Sequence, residues 1–303
     1  MHFAKLAAPL ALAGLVAASP TDKRADAPAA PAAPTDADIL NYALTLEHLE
    51  ASFYKLGLDM LNAGAFEKAG FADWVRLRFT QIASQEATHV SFLTAALTGA
   101  GAKPVAACKY NFNITTPESY RALSQVLEGV GVAAYLGAAP YIQSKAYLGV
   151  AGSILVVEAE HDTWVRSAAY TEDGFPGPFY APLDLSQVYT LASPFITSCP
   201  ASNVVLPVKA FPTFKVDTAG PYVGGQNITI DVPQGGKYAA FVAAADTVYQ
   251  PVSAGSVTIT IPTNNSLGQQ YLIITNTEAQ NDNATVAGPV LVEVADQATN
   301  FNY

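Results

Sequence analysis

Two Glu-x-x-His motifs account for two of the four histidines in this 303-residue sequence. They are EATH at Glu86–His89 and EAEH at Glu158–His161. Residues three apart share one face of an α-helix, so each motif directs a carboxylate and an imidazole towards the same point. These two ligand types suit iron and manganese. The doubled motif therefore predicts metal chemistry, and the alternative is solvated glutamates beside core histidines.

A second repeated pattern places a tyrosine seven residues after a glutamate. It occurs as Glu47 with Tyr54 and as Glu128 with Tyr135. Seven residues are about two helical turns, so the carboxylate and the phenol lie on one stripe. Along the chain the two patterns alternate, which indicates a repeated helical hairpin. We expect Tyr54 and Tyr135 to be catalytic residues that hydrogen-bond a ligand carboxylate or pass an electron, and the alternative is ordinary core tyrosines.

The register of the two hairpins can be tested from spacing alone. Residues of an antiparallel hairpin meet when they are equally far from the turn. The midpoint of Glu47 and Glu86 falls in the first expected turn, and that of Glu128 and Glu158 falls at Gln143 in the second. Both pairs can thus meet inside one bundle. The predicted metal ligands are Glu47, Glu86, His89, Glu128, Glu158 and His161.

Four glutamates and two histidines are the ligand set of a carboxylate-bridged dinuclear site in a helical bundle. Two divalent cations carry four positive charges, which four glutamates neutralise. Without metal, buried glutamates at close range would repel one another and take up protons. We therefore expect two Fe or two Mn ions as cofactors, and these ligand types do not rank one metal above the other.

Other reactive side chains lie near the motifs but off the two stripes. We expect Glu50 and Glu160 to lie on the surface or behind the ligands rather than among them. His48 points about 100° away from Glu47 on the helix, which predicts a peripheral position. The two tryptophans are expected to serve in packing.

The elements that must position these residues differ between the two halves of the chain. Apolar residues follow a helical period up to about residue 170, and Thr35 with Asp38 forms a capping box. We expect four long helices near 35–62, 66–97, 117–140 and 144–170, which form a bundle. Beyond residue 206 the apolar residues alternate between Gly, Pro and Asn turns. That rhythm predicts strands near 227–232, 238–243, 256–261, 270–276 and 289–294, with weaker candidates around Phe214 and Val248.

The expected fold class is therefore α plus β in separate domains. A four-helix bundle at 35–203 is followed at 204–303 by an antiparallel immunoglobulin-like β-sandwich. The second region contains no histidine. We expect it to be a structural or adhesive module.

The N-terminal sequence predicts secretion. Residues 1–18 read as a signal peptide, and 19–34 as a pro-region with Lys23-Arg24 followed by an Ala/Pro spacer. Cys108 and Cys199 are the two cysteines of the chain, which predicts one disulfide in an oxidising compartment. No later segment is expected to span a bilayer. Four N-x-S/T sequons are candidate glycosylation sites: Asn113, Asn227, Asn264 and Asn283.

The charge balance excludes one class of partner. The formal net charge is −10 and the pI is near 4.7, whereas binding to phosphates requires clustered Lys and Arg. We therefore expect no nucleic-acid partner. The predicted signal peptide separately indicates an extracellular or cell-wall location.

Residues 36–200 resemble the ferritin-like superfamily, in the segments LNYALTLEHLEASFY, ASQEATHVSFL, LEGVGVAAYLGAAP and VVEAEHDTWVR. The similarity is greatest to a secreted fungal group related to desiccation and stress proteins and to late sexual development proteins. The resemblance implies a ferritin-like bundle in which Glu86 and Glu158 bridge the metals. Glu47 and Glu128 would be terminal carboxylates, and the two motif histidines terminal imidazoles.

The predicted metal site and the two-part organisation of the chain leave two classes of function open. The first is an oxidoreductase that uses oxygen or peroxide, either ferroxidase-like or di-manganese catalase-like, in stress or development. The second is a non-enzymatic extracellular or cell-wall protein whose metal site is structural or vestigial. In that case the β module would bind a cell-wall polymer.

Overall fold

Four long antiparallel helices make up most of the first half of the structure, which is a computed structural model. It describes residues 33–169, 173–175, 177–217, 220–243, 247–263 and 267–295. The α-helices of these residues are α1 (Asp36–Met60), α2 (Ala63–Lys68), α3 (Asp73–Gly99), α4 (Pro117–Ala138), α5 (Lys145–Trp164) and α6 (Leu185–Ala192). The long helices α1, α3, α4 and α5 form the predicted bundle.

Local sequence explains where most of these helices begin and end. Thr35 caps α1, and its backbone N–H donates to the Asp38 carboxylate at 2.8 Å, which completes the predicted capping box. The helix expected at 66–97 is instead two helices, because the chain turns at Gly70 with φ of +84°. After Trp164 the chain continues as a π-helical segment, Val165–Ala169, and residue 170 lies outside the described residues.

The second half is rich in β-structure, as predicted. Its strands, with two short ones from the helical half, are β1 (Lys109–Tyr110), β2 (Ile196–Ser198), β3 (Tyr222–Val223), β4 (Asn227–Val232), β5 (Tyr238–Val242), β6 (Val248–Pro251), β7 (Gly255–Thr260), β8 (Gly268–Thr275) and β9 (Thr285–Ala295). One sheet has the order β3-β9-β8-β5-β6, and β4 pairs with β7 in a second sheet.

The five strands predicted from alternation correspond to β4, β5, β7, β8 and β9. The weaker candidate at Val248 is β6, whereas Phe214 lies outside any strand and nearby Val216 forms a single bridge to Ile230. Strand β3 runs parallel to β9, and the other pairs are antiparallel. The assignment to the immunoglobulin-like class stays a prediction.

The five-stranded sheet is buried on both faces. All eight residues of β8 are buried. Leu272 and Ile274 pack against the β4–β7 sheet, whereas Tyr271 and Ile273 belong to the same hydrophobic cluster as the bundle helices. The bundle and the sheet therefore share a core within one compact unit, Pro34–Tyr303. The domain boundary at 203/204 stays a prediction from sequence.

Helix α4 is the central helix of this arrangement. Together with the turn that follows it, this helix forms the segment Pro117–Tyr141, which is long and apolar enough to span a membrane by length and composition alone. The expectation that no segment after residue 18 is long and apolar enough to span a bilayer was therefore wrong. In the structure 61% of its most apolar window is buried. Its apolar character is explained by the neighbours that surround it, which include α1, α5 and α6.

Several predicted features lie away from the bundle core. The Cys108–Cys199 disulfide is present, as predicted, beside the β1–β2 pair. Asn113, Asn227 and Asn283 are exposed, whereas Asn264 lies outside the described residues. The predicted signal peptide and most of the predicted pro-region, residues 1–32, also lie outside them.

Candidate metal centre

Four helices bring the six predicted ligands together in the middle of the bundle. Glu47 comes from α1 and Glu128 from α4, while α3 and α5 each supply one Glu-x-x-His motif. All six residues are buried. Their ligand atoms form two groups, each with all atoms within 4.8 Å of one another: Glu47, Glu86, His89 and Glu158 in one, and Glu86, Glu128, Glu158 and His161 in the other. The two groups share Glu86 and Glu158.

Glu86 lies between the two imidazoles. Its Oε2 is 3.3 Å from Nδ1 of His89, and its Oε1 is 3.0 Å from Nδ1 of His161. His89 Nδ1 is also 3.2 Å from Glu47, and His161 Nδ1 is 3.2 Å from Glu128. Each half of the cluster therefore combines one imidazole, one carboxylate of its own and the shared pair.

The two predicted tyrosines contact the cluster reciprocally. The Tyr54 hydroxyl on α1 donates to Oε1 of Glu128 on α4, and the Tyr135 hydroxyl on α4 donates to Oε1 of Glu47 on α1. In both carboxylates the other oxygen, Oε2, faces a histidine. Burial raises the pKa of both phenols well above the usual value, so they remain protonated donors. Their catalytic role stays a prediction.

Gln85 is a site residue that the sequence patterns did not indicate. Its Oε1 is 2.8 Å from Nε2 of His161. The amide oxygen can only accept, so in this arrangement Nε2 carries the proton and Nδ1 faces the carboxylates. Such a contact fixes the tautomer that a metal-binding histidine requires.

Glu50 is a fifth carboxylate at this cluster. We expected it on the surface or behind the ligands, and the structure has it in the second of these positions: it is 4% exposed, lies on the same side of α1 as Glu47 and belongs to neither ligand group. Burial, followed by the charges of Glu158 and the other glutamates, raises its pKa well above the usual value. The spacing Glu47-x-x-Glu50 equals that of the Glu-x-x-His motifs. This spacing is the sequence feature that could have identified Glu50 as part of the site.

The remaining candidates are peripheral, as the sequence predicts. Glu160 is exposed on α5. His48 contacts the backbone oxygen of Val105 at 3.1 Å. Trp74 and Trp164 pack edge to face at 6.2 Å between ring centroids.

The electrostatics of the cluster show how strongly it requires positive charge. Burial raises the pKa of Glu47 to about 7 and that of Glu158 well above its usual value. Burial opposes charge on Glu86 too, but hydrogen bonds from both histidines outweigh it and lower its pKa to about 2. Burial lowers the pKa of each histidine, yet the facing carboxylates raise it to about 12 for His89 and about 11 for His161. Without a cation, protons must supply the compensating charge.

The residues present fit a bound cation. Glu158 is fully buried, and the donor that faces it among the described residues is Nδ1 of His89, 3.4 Å from Oε1, whereas its Oε2 has no hydrogen-bond partner there. A buried carboxylate with so few donors costs several kcal/mol unless a cation or proton compensates it. Oxygen and imidazole nitrogen on converging helices meet that requirement for a divalent metal. The buried carboxylate and histidine cluster could thus hold metal ions.

Comparison with known proteins agrees with this architecture. Residues 35–171 match the family described as ferritin-like domain. The matched segment contains α1 to α5 and all six predicted ligands. The chain thus has an N-terminal helical ferritin-like domain and a C-terminal β-rich region.

Two individual proteins are similar to parts of the chain. Protein rds1 of Schizosaccharomyces pombe is 27% identical over 179 residues, which is 58% of this chain, and the match covers 43% of that protein's length. The chain thus covers less than half of that relative. The crystal structure of a conserved hypothetical protein, rv2844, from Mycobacterium tuberculosis aligns with a TM-score of 0.37 and 16% identity. That alignment covers 43% of this chain and 87% of the other.

Proposed function

We propose that the helical domain is an oxidoreductase domain that binds two iron or two manganese ions and reacts with oxygen or peroxide. The observation that carries this proposal is the pair of overlapping ligand groups that share Glu86 and Glu158. Two adjacent groups with two common carboxylates are the arrangement that a carboxylate-bridged dinuclear centre needs. The match of residues 35–171 to the ferritin-like domain supports it.

Each ligand has a distinct proposed role. Glu86 and Glu158 would hold both ions, because their atoms belong to both groups. Glu47 and His89 would hold one ion, and Glu128 and His161 would hold the other. The bound metals supply the redox chemistry, by exchanging electrons with oxygen, peroxide or ferrous iron.

The chain's own groups prepare this site. The Tyr54 and Tyr135 hydroxyls fix one oxygen of each terminal carboxylate, which leaves the second oxygen directed at the cluster. Gln85 holds His161 with Nδ1 inward. The surrounding core residues exclude bulk water, which strengthens every charge interaction at the site.

We further propose that the protein acts outside the cell or in the cell wall, in stress or development. The disulfide is consistent with an oxidising compartment, and the exposed Asn113, Asn227 and Asn283 are accessible for glycosylation. The similarity to a protein of Schizosaccharomyces pombe supports the proposal that this chain belongs to the fungal group it resembles. Binding of a wall polymer by the β-rich region belongs to the same proposal.

The test is elemental analysis of the full chain secreted from a fungal host, followed by peroxide and ferrous-oxidation assays. Glu86→Gln/Glu158→Gln removes both shared ligands, and Glu160→Gln is a matched control because Glu160 is exposed on the same helix as Glu158. We expect about two Fe or Mn per chain in the wild type and in the control, and loss of metal in the double variant. Metal without turnover would favour the non-enzymatic alternative. A wild type without metal would overturn the proposal.

A further inference from the structure

An apolar cavity of about 180 Å³ lies beside the metal centre. Its walls come from α1, α4 and α6, from Phe195 and from Leu291 on β9. Glu50 is the lining residue with a polar side chain among the described residues. The cavity thus lies at the interface between the helical bundle and the five-stranded sheet.

The cavity adjoins the cluster at Glu50 and Gly131. Its outer wall includes the half-buried Leu191, Phe195 and Leu291, whereas its inner wall is formed by the buried Glu50 and Gly131. A Cβ atom at position 131 would lie 3.0 Å from Oε1 of Glu50 and 2.9 Å from Oε2 of Glu158. Both carboxylates therefore lie directly against Gly131, which places Glu158 next to the inner wall of the cavity.

The chemistry of the walls determines what the cavity can hold. A water molecule inside a protein typically makes about three hydrogen bonds, and an engineered apolar cavity of about 150 Å³ in another protein stays dry and binds benzene. Here one carboxylate faces an otherwise aliphatic and aromatic surface. Charged or strongly polar molecules would lose their hydration without compensation.

We propose that this cavity binds a small, neutral organic molecule of about the size of benzene, with at most one polar group, and presents it beside the metal centre, next to Glu50 and Gly131. Its role as a substrate site rests on the proposed function, whereas binding itself does not depend on the metal. A polar group on the ligand would face Glu50, and the apolar part would fill the space between α4 and α6.

The probes are benzene, phenol and benzoate, with binding to the full chain measured by ligand-observed NMR and calorimetry. We expect saturable binding of benzene and phenol and none of benzoate. Ala192→Leu adds a side chain inside the cavity and should weaken benzene binding by at least about tenfold. Leu191→Ala enlarges the cavity and should shift the preference towards larger guests such as naphthalene. Benzene binding that neither substitution changes would overturn the proposal.

A second readout tests the position of the ligand relative to the metal centre. In the Mn²⁺-loaded chain, the paramagnetic ion should accelerate relaxation of the bound benzene protons. Glu86→Gln/Glu158→Gln should abolish this acceleration and retain benzene binding. Bound Mn²⁺ without faster relaxation would overturn presentation at the metal centre. A chain that binds benzene at this cavity but takes up no Mn²⁺ would overturn the proposed function and support the cavity as a binding site.

Discussion

The Tyr135 hydroxyl on α4 donates a hydrogen bond to Oε1 of Glu47 on α1. The same relationship holds in the opposite direction between Tyr54 and Glu128. Each of these helices therefore supplies a carboxylate to the cluster and a phenol that orients the carboxylate of the other. The two helical hairpins predicted from the sequence repeat are thus related by an approximate two-fold arrangement of their glutamates and tyrosines around the site.

Removal of either phenol should weaken metal binding without removing a ligand. In Tyr135→Phe, Oε1 of Glu47 loses its donor, and we expect about 10- to 100-fold weaker metal affinity, as for other contacts that orient ligands. Tyr54→Phe should have a similar effect through Glu128. Affinity is measured by competition with a chelator. Tyr147→Phe, a half-buried tyrosine on α5, is the control, and equal losses in all three variants would contradict the prediction.

Metal uptake should release protons and strengthen as the pH rises. The facing carboxylates raise the pKa of His89 to about 12 and that of His161 to about 11, so both imidazoles are protonated at neutral pH without metal. A metal must displace these protons, hence acid opposes binding. Calorimetry in buffers of different ionisation enthalpy counts the protons, and we expect at least one for each ion bound. Affinity that is constant between about pH 5 and about pH 8 would contradict the prediction.

The buried ion pair between Arg166 and Glu293 should be important for stability. Nη2 of Arg166 lies 2.7 Å from Oε1 of Glu293 on β9, and Arg166 is 2% exposed. Glu293→Gln removes the carboxylate charge that this buried guanidinium faces on β9, which should lower the free energy of unfolding by about 1.5–3 kcal/mol, the contribution of a hydrogen bond to a charged group. Chemical denaturation measures this loss. Asp217→Asn, at the exposed pair with Lys215, should leave the denaturation midpoint unchanged.

Close packing between α1 and α4 depends on Gly57. A Cβ atom at this position would overlap the ring of Tyr120, which is fully buried. Gly57→Ala should therefore lower the free energy of unfolding by about 1–3 kcal/mol. Gly149→Ala on α5 is the matched control, because no atom lies within 4 Å of the added methyl group. That substitution should stabilise the chain by up to about 1 kcal/mol, through helix propensity. An equal loss in both variants would exclude the packing explanation.

The sequence was sufficient to predict those features that depend on local spacing. Three-residue spacing placed Glu86 with His89, the capping box placed the start of α1 at Thr35, and alternation located five strands. Equal distances from the turns predicted that Glu47 would meet Glu86. All of these depend on helix or strand period, which is a property of the backbone alone.

The tertiary structure decided which buried groups face one another across elements. Glu50 has the spacing of a site residue, but its burial depends on the rotation of α1 against α3 and α4. The sheet covers the bundle because β8 is apolar on both faces, and period-2 alternation alone does not identify the partner of each face. The cavity exists because Gly131, Ala192 and Leu291, far apart in the chain, leave space between three packed elements. Such space depends on the relative positions of those elements in three dimensions, so no local pattern encodes it.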